Sequence, residues 1–330
     1  MDTKISVIIP IYNVGNYIIK TIESLSKQTF KDFEVIVIND GSTDNCNIIC
    51  EEQLKKYELK YTVINKKNQG VSRARNEGIA LSKGKYLYFL DGDDYIEASC
   101  LEKFYNYAEK EGIEVAFCGY TRLNANNRYS VVSTCHNYID SILDGKEAAQ
   151  RMLRGEFWIS AISGFYLRSF IIDKSLKFPI DIKFGEDTVF IVDTLMKSRK
   201  VGCVKEPLVY YVRRESSVTK TPSSTYYNLY EADKKILEHV KKNYEDSNIE
   251  DVLVKYHIPR NIVRIFSTMS KGKADKKELC EFIKRKDVQD FLRGFNPNSK
   301  KFKLASILIS KVPKAMYVIF DVYGRVGKKS

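Results

Sequence analysis

Four short apolar runs, separated by three amphipathic stretches, constrain this chain more than any other feature. "ISVIIPIY" from Ile5, "FEVIVIN" from Phe33, "KYTVIN" from Lys60 and "KYLYFL" from Lys85 are β-branched and aromatic, and apolar without alternation. That pattern belongs to strands buried on both faces. Between them, "GNYIIKTIESLSKQ" sets Ile18, Ile22 and Leu25 on one helical face, and "STDNCNIICEEQLKKY" and "VSRARNEGIALSKG" follow. The order β-α-β-α-β-α-β predicts a parallel sheet with helices on both sides.

Beyond Leu90 the pattern is less regular. "SCLE" at Ser99–Glu102 predicts a capping box opening a helix with Leu101, Phe104, Tyr105 and Ala108 apolar. "EVAFCGYTRL" reads as a strand, "KEAAQRMLRG" as a helix, "SGFYLRS" as a strand and "EDTVFIVDTLMKS" as a helix, with two further strands at "VGCVKE" and "PLVYYVRR". From about Ser223 the pattern is helical with lysine-rich faces. The expected organisation is an α/β domain over residues 1–222 and a basic α-helical domain over 223–330.

Seven cysteines without a C-x-x-C pair, and only three histidines, argue against a disulfide framework or a zinc site and for a reducing cytosol. The start, "MDTKISVIIPIYN", lacks the charged leader and small-residue cleavage site of a signal peptide. Of the net charge of +12, residues 223–330 carry +10, with 23 lysines and arginines against 13 acids. The basic module is expected to face a polyanion.

In an open parallel sheet, ligands bind beyond the carboxyl ends of the strands. That rule brings together Pro10–Asn13, Asn39–Asp44, Asn65–Gly70 and the acidic run Asp91-Gly92-Asp93-Asp94. Asp91 and Asp93, two apart across a glycine, can aim both carboxylates at one point, and oxygen ligands of this kind suit Mg²⁺ or Mn²⁺. The tetrapeptide is equally good turn chemistry and a favourable charge for a following helix. Glu186 and Asp187 likewise fit the start of a helix whose Val189, Phe190, Val192 and Met196 pack inward. Ser42, Thr43 and Asp44 fit simple helix caps.

Together, "ISVIIPIYN", "VIVINDGSTD", "NQGVSRARNEGI", "YFLDGDD" and "GEDTVF" resemble a family 2 glycosyltransferase of the GT-A fold, over roughly the first two-thirds of the chain. The resemblance implies a Rossmann-like, mostly parallel central sheet flanked by helices, followed by an α-helical C-terminal region. Pro10, Tyr12 and Asn13 match the loop against the nucleotide base, and Asp40 the carboxylate that accepts the base's imide N–H, so that UDP is the expected nucleotide. Asn39 stands where an aspartate is common. Asn68 and Arg75 match residues near base, ribose and phosphates; of Arg73 and Arg75, which cannot share a helical face, Arg75 is the one expected in the site. Asp91 matches the residue facing ribose and metal, Asp93 the metal ligand, and Asp94 a helix-start or orienting residue. Glu186 and Asp187 match the pair beneath the acceptor, with Asp187 as catalytic base and Glu186 orienting.

The implied reaction is inverting transfer of a hexose or N-acetylhexosamine from a UDP-sugar to a hydroxyl of a glycan or lipid-linked acceptor, aided by Mn²⁺ or Mg²⁺. "YYVRRESSVTK" matches a segment bordering the donor pocket, where Arg213, Arg214 and Ser217 stand near the diphosphate or form a solvated basic loop. The end of the chain mixes two apolar pieces, Leu304–Ile309 and Ala315–Phe320, with Lys300, Lys301, Lys303, Lys311, Lys314, Arg325, Lys328 and Lys329. Neither piece reaches the ~20 residues of a spanning helix, and both suit an anchor on the anionic inner face of the cell membrane, or packing on the catalytic domain or in a homodimer. A non-catalytic basic module with a vestigial catalytic domain is the rival reading. No RNP, zinc-finger or helix-turn-helix signature supports nucleic acid. A sugar nucleotidyltransferase would want a glycine-rich loop carrying an arginine where "IPIYNVGNY" stands.

Overall fold

The computed structural model describes residues 3–125, 130–182, 184–213, 226–272, 274–297 and 299–326. Arg214, Ser217, Lys220, Lys328, Lys329 and the expected boundary at 222/223 lie outside the described residues. The chain divides into two units, Met1–Met152 with Glu156–Glu215, and Leu153–Gly155 with Ser216–Ser330.

The first unit holds strands β1 Ile5–Ile11, β2 Phe33–Asn39, β3 Tyr61–Asn65, β4 Tyr86–Phe89, β5 Tyr95–Ile96, β6 Val115–Asn124, β7 Ser130–Cys135, β8 Gly164–Leu167 and β9 Val201–Arg213. Its helices are α1 Tyr17–Ser26, α2 Cys46–Lys56, α3 Val71–Leu81, α4 Cys100–Glu111, α5 Gly145–Arg154, α6 Arg168–Asp173 and α7 Glu186–Lys197. The sheet order is β3-β2-β1-β4-β8-β6-β9-β5, with β7 paired to β6. It is parallel across β3-β2-β1-β4; β8 then enters antiparallel to β4 and β6, so the far half is mixed.

The register sets where the loops leave. Ile11 pairs with Asn39 and Asn39 with Asn65, so β1, β2 and β3 end level, while Phe89 at the end of β4 lies opposite Ile8. The loop after β4 therefore starts three residues lower and rises against Ile11 and Val14. All residues of β1, β2 and β4 are buried, as their largely apolar runs require, whereas β3 is partly exposed at the sheet edge. On one face Ile18, Ile22 and Leu25 of α1 pack with Val7, Ile9 and Val35, each contributing about 1.5–3 kcal/mol by leaving water. On the other face Ala74 of α3 meets Ile36 and Ile38. Gly78 lets α3 come close: a Cβ there would lie 2.3 Å from Ile8 Cγ2.

Three local expectations are corrected. Ser99 caps α4 without a side-chain hydrogen bond; Glu102 instead accepts from Thr29 Oγ1 at 2.8 Å, a tertiary partner that outcompetes the reciprocal cap. "VGCVKE" and, as far as Arg213, the second expected strand form one strand, because β6 pairs across the break with a register shift that places Pro207 opposite Gly119; an irregularity is where a strand tolerates proline. Asp94 does not start a helix, since α4 begins at Cys100.

The second unit contains α8 Tyr227–Asn243, α9 Ser247–Val252, α10 Ile258–Lys271, α11 Lys276–Lys284, α12 Lys286–Gly294, α13 Lys300–Lys311 and α14 Pro313–Val326. A π-helical turn, Leu253–His257, joins α9 to α10. It points the buried His257 at Asp233, Nε2 to Oδ1 at 3.2 Å, while Asn261 Nδ2 donates to Asp233 Oδ2 at 2.8 Å. This polar cluster pins α8 to α10.

Candidate active site

The loops after β1 and β2 are tied into one wall. Asn13, in a left-handed conformation, accepts from the Thr43 amide through Oδ1 at 2.8 Å and donates its own amide to Ser42 Oγ at 3.2 Å. Asp44 Oδ2 accepts from the Gly15 amide at 2.7 Å, and its Oδ1 from the Cys46 amide at 3.2 Å. Ser42 and Asp44 thus serve the β1 loop as well as, or in place of, capping α2, whose N-cap is Asn45. Tyr12 stands 50% exposed at the lip of this wall, whereas Pro10, expected in the loop, is a buried residue of β1.

Asp40 is buried and faces the start of α3: its Oδ1 accepts from the Gln69 amide at 2.9 Å and its Oδ2 from the Gly70 amide at 2.7 Å. Asn39 bonds instead to Asn65 Oδ1 and to the Ser42 amide. Asn68 is exposed on the same loop, and the backbones of residues 41 and 68 approach closely enough that a Cβ on Gly41 would lie 2.8 Å from the Asn68 nitrogen.

The acids converge on one arginine. Arg75 projects inward from α3, 4% exposed, while Arg73 points to solvent. Its Nη2 donates to Asp91 Oδ1 at 2.9 Å and its Nη1 to Glu186 Oε1 at 3.3 Å, and the guanidinium lies 5.1 Å over the Phe178 ring. Burial works against the charge, yet Asp91 and Glu186 outweigh it, so its pKa is raised. Asp187, beside Glu186 at the start of α7, accepts from the Thr188 amide at 2.8 Å. Burial raises the Glu186 carboxyl to about 7, with the Asp187 charge adding to it and Arg75 opposing. Asp187 is also raised, by burial, against the pull of Arg75 and the Thr188 amide.

The Asp-Gly-Asp-Asp turn is held from three sides. Thr21 Oγ1 donates to the Gly92 carbonyl at 3.0 Å, a Cβ on Gly92 would lie 2.7 Å from Ile11 Cγ2, and buried Asp94 Oδ1 accepts from the Val212 amide at 2.7 Å. Asp94 is therefore an anchor to β9, and Asp91 and Asp93 are left partly exposed. Among the described residues no three His, Cys, Asp or Glu side chains cluster so as to hold a metal. Two carboxylates at a mouth suit a divalent ion that also takes oxygens from a bound phosphate and water, as Mg²⁺ and Mn²⁺ commonly do. The donor set therefore fits a metal completed by substrate.

Two positioning residues were not singled out in the sequence. Asn76, next to Arg75, donates Nδ2 to the Phe178 carbonyl and accepts the Phe178 amide, both at 2.8 Å. Phe178 stacks on Phe190 of α7 at 3.9 Å. The only sequence signal for Asn76 is its place in "SRARN". A separate groove of about 440 Å³ is lined by Lys20, Tyr95, Glu97 and Tyr210 among others. None of the converging acids lines it, so chemistry rather than volume locates the site.

The family model described as glycosyl transferase family 2 matches residues 6–175. The chain belongs to this family. The match takes in the wall, Arg75 and the Asp-Gly-Asp-Asp turn, and ends before Glu186. The enzyme is 29% identical over 248 residues to the uncharacterised glycosyltransferase EpsJ of Bacillus subtilis, covering 74% of this chain and 69% of that protein. It is 33% identical over 215 residues to the minor teichoic acid biosynthesis protein GgaB of the same organism, covering 64% of this chain but only 23% of that longer protein. The crystal structure of Staphylococcus aureus TarS 1–349 in complex with UDP-GlcNAc shares the fold with a TM-score of 0.67 at 20% identity, over 97% of this chain and 89% of that one. This protein is a glycosyltransferase with the GT-A fold.

Proposed function

We propose that this family 2 glycosyltransferase moves a hexose or N-acetylhexosamine from a UDP-sugar to a hydroxyl of a glycan or lipid-linked acceptor, with inversion, in the assembly of a bacterial surface polysaccharide. The observation that carries the reading is the convergence of Asp91, Glu186 and Asp187 on Arg75, above the ends of β1 and β4. In this reading Asp91 is the diphosphate-side acid and Glu186 and Asp187 the acceptor-side acids, on either side of one fixed cation. TarS with UDP-GlcNAc supports the UDP-sugar, and the teichoic acid relative supports the pathway class.

In this reading Tyr12 and Asn13 flank the base and Asp40 accepts the uracil imide N–H with the lone pairs that the Gln69 and Gly70 amides do not use. Asn68 and Arg75 lie toward ribose and diphosphate. Asp91 and Asp93 would hold Mn²⁺ or Mg²⁺, which supplies neutralisation of the leaving diphosphate. An acceptor hydroxyl ionises far above pH 7, so its attack needs a base. Asp187 takes that proton as the acceptor oxygen bonds to the anomeric carbon; the bond to the diphosphate oxygen breaks and its electron pair leaves with UDP. The centre passes through an oxocarbenium-like state. Glu186, held by Arg75, orients the neighbouring base. The reading places the enzyme in the cytoplasm, at the inner membrane face where a lipid-linked acceptor is anchored.

The test is thermal stabilisation by UDP and slow hydrolysis of UDP-sugars, each with Mn²⁺ and with EDTA. Both are expected to need the metal. A folded protein showing neither would overturn the reading.

A further inference from the structure

Helices α13 and α14 carry apolar side chains on their outward as well as their inward sides. In α13 the inward side buries Ile309 together with Ser306, and Ser310 Oγ donates to Gln289 Oε1 at 2.6 Å. Phe302, Leu304, Ile307 and Leu308 of the same helix are exposed, Leu304 by 57%. In α14 Met316 is buried, Tyr317 donates its hydroxyl to the Ala274 carbonyl at 2.7 Å, and Phe320 meets the Phe266 ring edge-on. Its other side presents Val318, Ile319 and Val322, each at least 45% exposed, and Val312 continues the apolar surface between the two helices. The inner contacts hold both helices in this orientation, so the outward apolar faces are not a consequence of fraying.

Soluble surfaces rarely leave so much contiguous large apolar side chain uncovered, and such a patch marks an interaction site. Its charge chooses the partner. Lys300, Lys301, Lys311 and Lys314 are exposed around it, Lys303 turns in to the Phe295 carbonyl, and Asp321 is the single acid between residues 300 and 322. A second copy of this chain would bring lysines against lysines, and lysine is depleted from the cores of protein interfaces. No helix among the described residues is long and apolar enough to cross a membrane. Apolar side chains at the depth of acyl chains, with ammonium groups at the level of phosphates, are what an anionic bilayer surface accommodates.

We propose that the outward faces of α13 and α14 form a docking surface for an anionic lipid bilayer. The inference rests on the proposed lipid-linked acceptor for its purpose, but its test uses no donor sugar, so its failure and that of the transfer reaction are distinguishable.

The test is co-sedimentation of the full chain with vesicles of phosphatidylcholine alone or mixed with phosphatidylglycerol, at low and high salt. The protein is expected to bind the mixed vesicles and to release in salt. Replacing the four exposed lysines (Lys300→Gln, Lys301→Gln, Lys311→Gln, Lys314→Gln) is expected to weaken binding on the order of a thousandfold. Leu308→Glu with Val318→Glu is expected to abolish it, with the thermal transition and solution mass unchanged. The lysine variants alter only exposed side chains and keep the test open if the glutamates disturb folding. Absence of binding, equal binding to both vesicles, or a dimer that the glutamates split without any vesicle binding would each overturn the proposal.

Discussion

Arg75 Nη2 stands 2.9 Å from Asp91 Oδ1, joining α3 to the turn after β4. The same guanidinium reaches Glu186 at 3.3 Å and is almost wholly buried, so removing it strands the two carboxylates it pairs. Arg75→Met is expected to destabilise the protein by about 3–5 kcal/mol in urea unfolding, since breaking a buried pair leaves uncompensated charge. Arg75→Lys, which keeps the charge and loses the planar fork, should cost less. A wild-type midpoint for Arg75→Met would show that the pair is not structural.

Asp93→Asn should remove metal-dependent UDP binding by calorimetry. Asp187→Asn should leave that binding within a few-fold and lower kcat by at least ~100-fold, the usual worth of a general base. The opposite pattern would mean the two roles are exchanged.

The raised carboxyls of Glu186 and Asp187 give a pH dependence with a definite sign. The pair titrates together, both members raised by burial, so kcat/KM should rise with pH above the ordinary carboxylate range as the base ionises. Stability should move the other way. Between about 4.5 and 7 the unfolded chain has lost a proton that the folded Glu186 retains, so unfolding free energy falls as pH rises, by roughly 3 kcal/mol, and is flat above. Melting curves from pH 5 to 8 should show that fall, and Glu186→Gln should flatten it.

Gly92→Ala should cost about 1–3 kcal/mol, the usual penalty for an added methyl in a packed site, because its Cβ meets Ile11 Cγ2 at 2.7 Å. UDP affinity should fall with it as Asp91 and Asp93 shift. Gly294→Ala, where nothing lies within 4 Å, is the control and should show neither effect.

The parallel half of the fold was legible because β1, β2 and β4 are buried on both faces and therefore mostly apolar, with Ser6 and Glu34 buried exceptions that bond to each other. The placing of Asp40, Arg75 and the Asp-Gly-Asp-Asp turn at one edge follows from strand direction alone. The far half was less so. β7, largely exposed and built of "SVVSTC", carries no clear alternation, and the join of two expected strands into β9 depends on pairing with β6, a non-local fact. Side-chain partners were hardest. Asp94 finds Val212 and Arg75 finds Glu186, each across more than 100 residues, and nothing local distinguishes Asp94 from Asp93. The lysine-rich end of the chain announced its amphipathy, but not which side of each helix would face out.

Asn76 exchanges two hydrogen bonds with the backbone of Phe178, one residue along α3 from the arginine that holds Asp91. A single helix thus grips both banks of the cleft, and on the proposed reading it sets the spacing between departing group and attacking group. Mutations along α3 should then be felt in UDP binding and in transfer at once. A compound wedged between the two banks would have to bend a strut rather than displace a loop.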